Sequence, residues 1–136
     1  MNISVSQAQG SVPVSVIKLE GELDGQTYQS LIDKAREVYE SGARDFVIDL
    51  SGLTYVSSAG LVALHTVALL ARGEALPDTD AGWSAIRSVG GASQSGLQEH
   101  VKLANPREDV MSVLDMVGFS AAFEIFKDLD EAIKSF

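Results

Sequence analysis

Phe46-Val47-Ile48-Asp49-Leu50 is a nearly continuous apolar run with no two-residue alternation. A strand with one wet face alternates, whereas a strand covered on both faces reads apolar throughout. This segment therefore commits the chain to a sheet packed between helices, with largely parallel pairing. A chain of 136 residues can build one such core and is too short for two ordinary ones.

The flanking segments fit that architecture. Ile3-Ser4-Val5-Ser6 alternates, Val12 to Leu19 is β-branched and largely alternating, and Gly10-Ser11 lies between them. That pattern predicts an antiparallel pair. Gly21 to Gly25 marks the end of the second strand. Asp24 or Thr27 then opens a helix in which Tyr28, Leu31, Ile32, Ala35, Val38 and Tyr39 share a face, and Gly42 closes it. A second helix follows Ser57 and Ser58. Leu61, Leu64, Ala68 and Ala71 form one face, and Val62, Val67, Leu69 and Leu70 spread apolar character around it.

Val101-Lys102-Leu103 reads as a short strand. Asn105-Pro106 supplies a cap and a first-turn proline for a third helix with Val110, Val113, Leu114 and Val117 inward and Gly118 at its end. Ala122 to Phe126 reads as the last strand, and Asp128 caps a terminal helix carrying Leu129, Ala132, Ile133 and Phe136. The expected fold is α/β, a mixed and mostly parallel sheet with element order β-β-α-β-α-β-α-β-α, in one domain over residues 1–136. Gly73 to Glu99 is long for a connection within a compact domain and rich in Gly, Ser, Asp and Gln. It reads as an insertion before the fourth strand, with Trp83 as a hydrophobic tether or as an anchor for a partner.

Composition narrows the function classes. Nineteen acidic and ten basic residues leave a net charge of −9, which disfavours nucleic-acid and anionic-membrane surfaces. The absence of cysteine removes disulfides, thiolate catalysis and thiolate metal sites. Met-Asn-Ile-Ser-Val-Ser-Gln lacks the basic start and apolar core of a signal peptide. Ala59 to Ala71, interrupted by His65 and Thr66, falls short of the roughly 20 residues a membrane helix needs. The expectation is a soluble cytoplasmic protein with no membrane insertion.

The chemically suggestive stretch is Tyr55-Val56-Ser57-Ser58-Ala59-Gly60, where strand gives way to helix. A serine at a helix start can cap unpartnered backbone N–H groups, and those donors would also meet a phosphate placed there. A serine-hydrolase elbow needs G-x-S-x-G, but position 56 is valine. His65 lies seven residues along the same helix, about 10 Å of rise from Ser58. His100 follows the long insertion and has no place that the spacing fixes. Glu20, Glu22 and Asp24 lack the glycine-centred loop of a calcium site and read as solvated strand-end or capping carboxylates. No metal or cofactor site is expected.

The element order, with Leu19-Glu20-Gly21-Glu22-Leu23-Asp24 before the first helix, resembles the STAS domain, whose name joins sulfate transporters and anti-sigma factor antagonists. Val47 to Leu61 is similar to its signature strand, loop and helix start. Leu114 and Val117-Gly118-Phe119 are similar to its third-helix ending. In antagonist members the signature is Asp-Ser-Ser/Thr-Gly, and the first hydroxyl accepts phosphate from an anti-sigma factor serine kinase. Aligned on Gly60, the resemblance places that acceptor at Ser58, the aspartate position at Ser57 and the second hydroxyl position at Ala59. It also places Asp24 near the switch.

The resemblance implies an anti-sigma factor antagonist acting by partner switching. Unphosphorylated protein would bind the kinase, phosphorylation of Ser58 would release it, and a PP2C-type phosphatase would reset the cycle. The chain would be a substrate rather than an enzyme, with ATP and Mg²⁺ held by the kinase. The alternatives are a constitutive adaptor subunit of a lipid-transport or stress-signalling complex and, as the enzyme-class competitor, a serine hydrolase.

Overall fold

The computed structural model describes residues 2–71 and 100–136. Trp83 and the expected insertion lie outside the described residues. In chain order the elements are β1 (Asn2–Gln9), β2 (Pro13–Leu23), α1 (Tyr28–Glu40), β3 (Phe46–Val56) and α2 (Ser58–Ala71). They continue with β4 (Val101–Ala104), α3 (Glu108–Met116), α4 (Phe119–Ala122), β5 (Ile125–Phe126) and α5 (Leu129–Lys134). The strands form a sheet in the order β1-β2-β3-β4-β5. The β1–β2 pair is antiparallel, and the remaining pairs are parallel.

Side-chain alternation divides the apolar residues between two layers. Ile17, Leu19, Ile48, Leu50 and Leu103 face one way and pack with residues of α1, α2, α3 and α4. Val14, Val16, Val47 and Ala104 face the other way and meet Ala132 and Ile133 of α5. The β3 segment Phe46–Leu50 is buried throughout, Asp49 included, as its nearly continuous apolar character requires. Helix α2 is buried from Gly60 to Ala68 and again at Ala71. Each fully buried Leu, Ile, Val or Phe contributes about 1.5–3 kcal/mol, so this central layer outweighs local helix and strand preferences.

Four local expectations need correction. β2 does not stop at Leu19: it continues to Leu23, inside the Gly21–Gly25 stretch expected to mark its end, through register shifts at Lys18/Glu20 and Gly21/Glu22, with Gly21 at φ 113°. At both shifts the extra residue lies on β3, opposite the Lys18–Glu22 stretch of β2, so β3 carries the bulges that let the pairing continue. Similarly, β3 does not stop after Leu50 but runs on to Val56.

Asn105 does not cap α3. It takes the left-handed region at φ 54°, and its N–H donates to the Phe126 carbonyl at 2.6 Å. The helix starts after Arg107, with Glu108 and Asp109 in its first turn. The expected last strand Ala122–Phe126 shrinks to Ile125–Phe126, because Phe119–Ala122 forms α4. Phe119 and Phe123 are both buried, with ring centroids 5.4 Å apart and the Phe123 N–H donating to the Phe119 carbonyl at 2.8 Å. The four-residue spacing lets one helical turn bring both rings into the core.

Other punctuation stands where expected. Asp128 accepts a hydrogen bond from the Asp130 N–H at 2.9 Å and caps α5. Gly118, at φ 83°, follows the α3 terminus and donates to the Asp115 carbonyl.

Candidate functional site

The register Leu23↔Val56 brings the ends of β2 and β3 together. Immediately beyond it, the Ser57 N–H donates to the Leu23 carbonyl at 2.9 Å. The Ser57 carbonyl accepts the Leu61 N–H at 3.0 Å, and its Oγ accepts the Gly60 N–H at 3.3 Å. One residue thus closes the strand and opens the helix, and Ser57 is the cap that its position suggests.

Ser58 is the first residue of α2 and is exposed, while Ala59 is half-buried. Gly60 is buried, and glycine is needed there for space rather than for backbone freedom. A Cβ there would lie 2.6 Å from the Leu23 carbonyl oxygen, 2.8 Å from Val56 Cγ2 and 2.9 Å from Leu23 Cγ. Glycine at this position seats the N-terminus of α2 on the end of β2 and fixes where Ser58 emerges.

Asp24 is half-buried and bound within its own turn. Its Oδ1 accepts the Gln26 N–H at 2.9 Å and the Thr27 hydroxyl at 3.2 Å, while its carbonyl accepts the Tyr28 N–H. The side chain therefore shapes the entry to α1. Thr27 is the residue before the helix but makes no side-chain cap, and its Oγ1 is within 2.8 Å of the Glu22 carbonyl. Asp24, Ser57, Ser58, Ala59 and Gly60 consequently share the edge where β2 and β3 end.

Sequence reasoning missed the apolar rim beside this edge. Tyr55 is 52% exposed, although it precedes the buried Val56. A small cleft of about 140 Å³ is lined by Thr54, Tyr55, Val56, Asp109, Val110 and Val113. Val113, expected to face inward, is half-buried at that cleft. Asp109, Val113 and Met116 follow i, i+4, i+7 spacing on one side of α3, and Met116 is 83% exposed. That spacing was visible in the sequence, but its exposure depends on what packs against α3. On another side of the helix, a cavity of about 500 Å³ is bounded by residues including Pro106, Met111, Ile125 and Phe126.

The histidines take separate places. His65 is buried within α2. His100 Nδ1 lies 3.0 Å from Asp45 Oδ1 just before β3 and β4 begin. The full length of β3 separates that pair from Ser58, roughly 30 Å at the usual strand rise. Among the described residues, no group of three or more His, Cys, Asp or Glu could hold a metal. No described helix is long and apolar enough to cross a membrane.

Residues 6–77 match the family model described as "Mlab, STAS domain". No curated protein matches the chain. An anti-sigma factor antagonist from Mycobacterium paratuberculosis is similar in structure, with 18% identity, TM-score 0.64, and coverage of 98% of this chain and 93% of that chain. The anti-sigma factor antagonist SpoIIAA in its unphosphorylated form has 19% identity and TM-score 0.62, with coverage of 98% and 95% respectively. The Bacillus cell fate determinant SpoIIAA in the phosphorylated form has 15% identity and TM-score 0.56, with 98% coverage of each chain. At these identities the likeness is one of fold.

Proposed function

Because this chain belongs to the STAS domain family, we propose that it is an anti-sigma factor antagonist whose partner binding is controlled by phosphorylation of Ser58. The carrying observation is the division of roles at the start of α2: Ser57 caps the helix, whereas Ser58 is exposed beside it. A modification of Ser58 therefore need not remove the cap. Similar folds found in both unphosphorylated and phosphorylated SpoIIAA support the reading.

The partner is an anti-sigma factor serine kinase, which holds ATP and Mg²⁺. The Ser58 hydroxyl oxygen attacks the γ-phosphorus, forming the ester bond as the bond to the ADP oxygen breaks. The hydroxyl proton passes to a base on the kinase. A PP2C-type phosphatase hydrolyses the ester and restores the hydroxyl.

The added phosphate carries about −1.5 to −2 charge at neutral pH. The N-terminus of α2 offsets part of that charge, at about 0.3–1 kcal/mol in an exposed setting. A partner surface closed over Ser58 must instead desolvate or repel the phosphate, so the complex weakens while the fold persists.

A constitutive adaptor is the second reading, favoured by Ser57 standing where antagonists carry aspartate. Pull-down from native lysate with wild type, Ser58→Ala and Ser58→Asp separates the two. The switch predicts a kinase retained by wild type and Ser58→Ala and lost by Ser58→Asp. Equal retention of one partner by all three, with Ser58 unmodified in the endogenous protein, supports the adaptor. Covalent labelling of Ser58 by a fluorophosphonate would instead point to a hydrolase.

A further inference from the structure

We infer that the outer edge of β1 is a self-association site, where a second copy of this chain pairs antiparallel with Val5 opposite Val5. The backbone directions define that register. The Ser15 N–H donates across to the Asp45 carbonyl, on the β3 side of β2. Residues alternate direction along a strand, so Val14, Val16 and Lys18 point their backbone groups toward β1. Their partners are Ala8, Ser6 and Ser4 in an unbroken register. The backbone N–H and C=O groups of Ile3, Val5 and Gln7 therefore point away from the sheet.

An antiparallel second copy can satisfy these groups reciprocally. Placing Val5 on the two-fold axis sets Ile3 opposite Gln7 of the other copy, and the reverse. Each of these three pairs exchanges two hydrogen bonds. Ser4 falls opposite Ser6, so small side chains meet on the other face. The two Val5 side chains, each 36% exposed in one copy, meet on the face shared with Ile17.

Two observations favour a second copy over an unrelated strand. The edge is complementary to itself in this register. It is also free of charge from Asn2 to Gln9 in a chain of net charge −9, so two copies can approach there with little local repulsion. Isolated edges are commonly blunted by proline, charge or bulges, none of which interrupts this strand. An interface limited to one strand belongs to the small, weak class, so association should rise with protein concentration.

Sedimentation velocity on the 136-residue chain across a micromolar-to-millimolar series tests the inference. Wild type should pass from monomer toward dimer. Val5→Pro removes an outward donor without requiring loss of a β1–β2 hydrogen bond, and edge strands tolerate such a proline. Its dissociation constant should rise at least about tenfold. Val5→Lys places like charges at the two-fold axis and should produce the same direction of change without altering the backbone donor. Circular dichroism checks folding, and the lysine variant provides the decisive comparison if the proline variant unfolds. Wild type remaining monomeric throughout, or a dimer unaffected by Val5→Lys, would overturn the inference. Neither result bears on the Ser58 switch.

Discussion

Gly60→Ala tests whether close contact between α2 and β2 positions the start of the helix. The added carbon would sit 2.6 Å from the Leu23 carbonyl oxygen and under 3.0 Å from both Val56 Cγ2 and Leu23 Cγ. Side-chain carbons can rotate away, but the Leu23 carbonyl is held by the Ser57 N–H at 2.9 Å. Overpacking costs about 1–3 kcal/mol, and backbone contact favours the upper end. Alanine recovers up to about 1 kcal/mol of helix propensity, leaving net destabilisation near 2 kcal/mol. Urea unfolding should show that loss, with a fall in Tm of roughly 6–8 °C for a chain this size. Gly25→Ala is the control, because no heavy atom lies within 4 Å of its added carbon. It should change stability by less than about 1 kcal/mol, in the stabilising direction. If Gly60→Ala is as stable as wild type, close contact does not set the start of α2.

Other substitutions probe separate local forces. Ser57→Ala should cost about 0.5–1 kcal/mol in urea unfolding, the low end for a cap because its bond is long at 3.3 Å. Asn105→Val should cost about 1–2 kcal/mol because Asn105 occupies the left-handed region, whereas Asn105→Gly should retain near-wild-type stability. Lys102 is buried, donates to the Ser135 carbonyl at 3.1 Å and Oγ at 2.8 Å, and lies 4.3 Å from the Phe136 ring centroid. Lys102→Ala should accelerate amide exchange in α5 more than in α1, a difference readable by hydrogen-exchange mass spectrometry.

The layered fold is legible where patterning is strong. The apolar run at Phe46–Leu50 signals a covered strand, and the apolar surround of α2 signals a buried helix. The serine pair is legible for a local reason, since a helix start has a short list of capping residues. Contacts distant in sequence are less visible. Glu20 to Leu23 do not read as strand until β3 is seen pairing with them across its own bulges. Gly60 reads as a signature position at the helix start, but the steric reason for glycine emerges only when the Leu23 carbonyl is placed against it. The same limit applies to Phe119 and Phe123, whose joint burial converts an expected strand into a turn of helix. Tyr55 and Met116 are recognisably apolar in sequence, but their exposure depends on the surrounding packing.

The proposed switch is tested most directly by comparing endogenous protein bound to the proposed kinase partner with the free pool by site-resolved mass spectrometry. The account predicts unmodified Ser58 in the bound pool and phosphorylated Ser58 enriched in the free pool, with Ser57 unmodified in both. Equal Ser58 occupancy in the two pools, or phosphate on Ser57 instead, would contradict it.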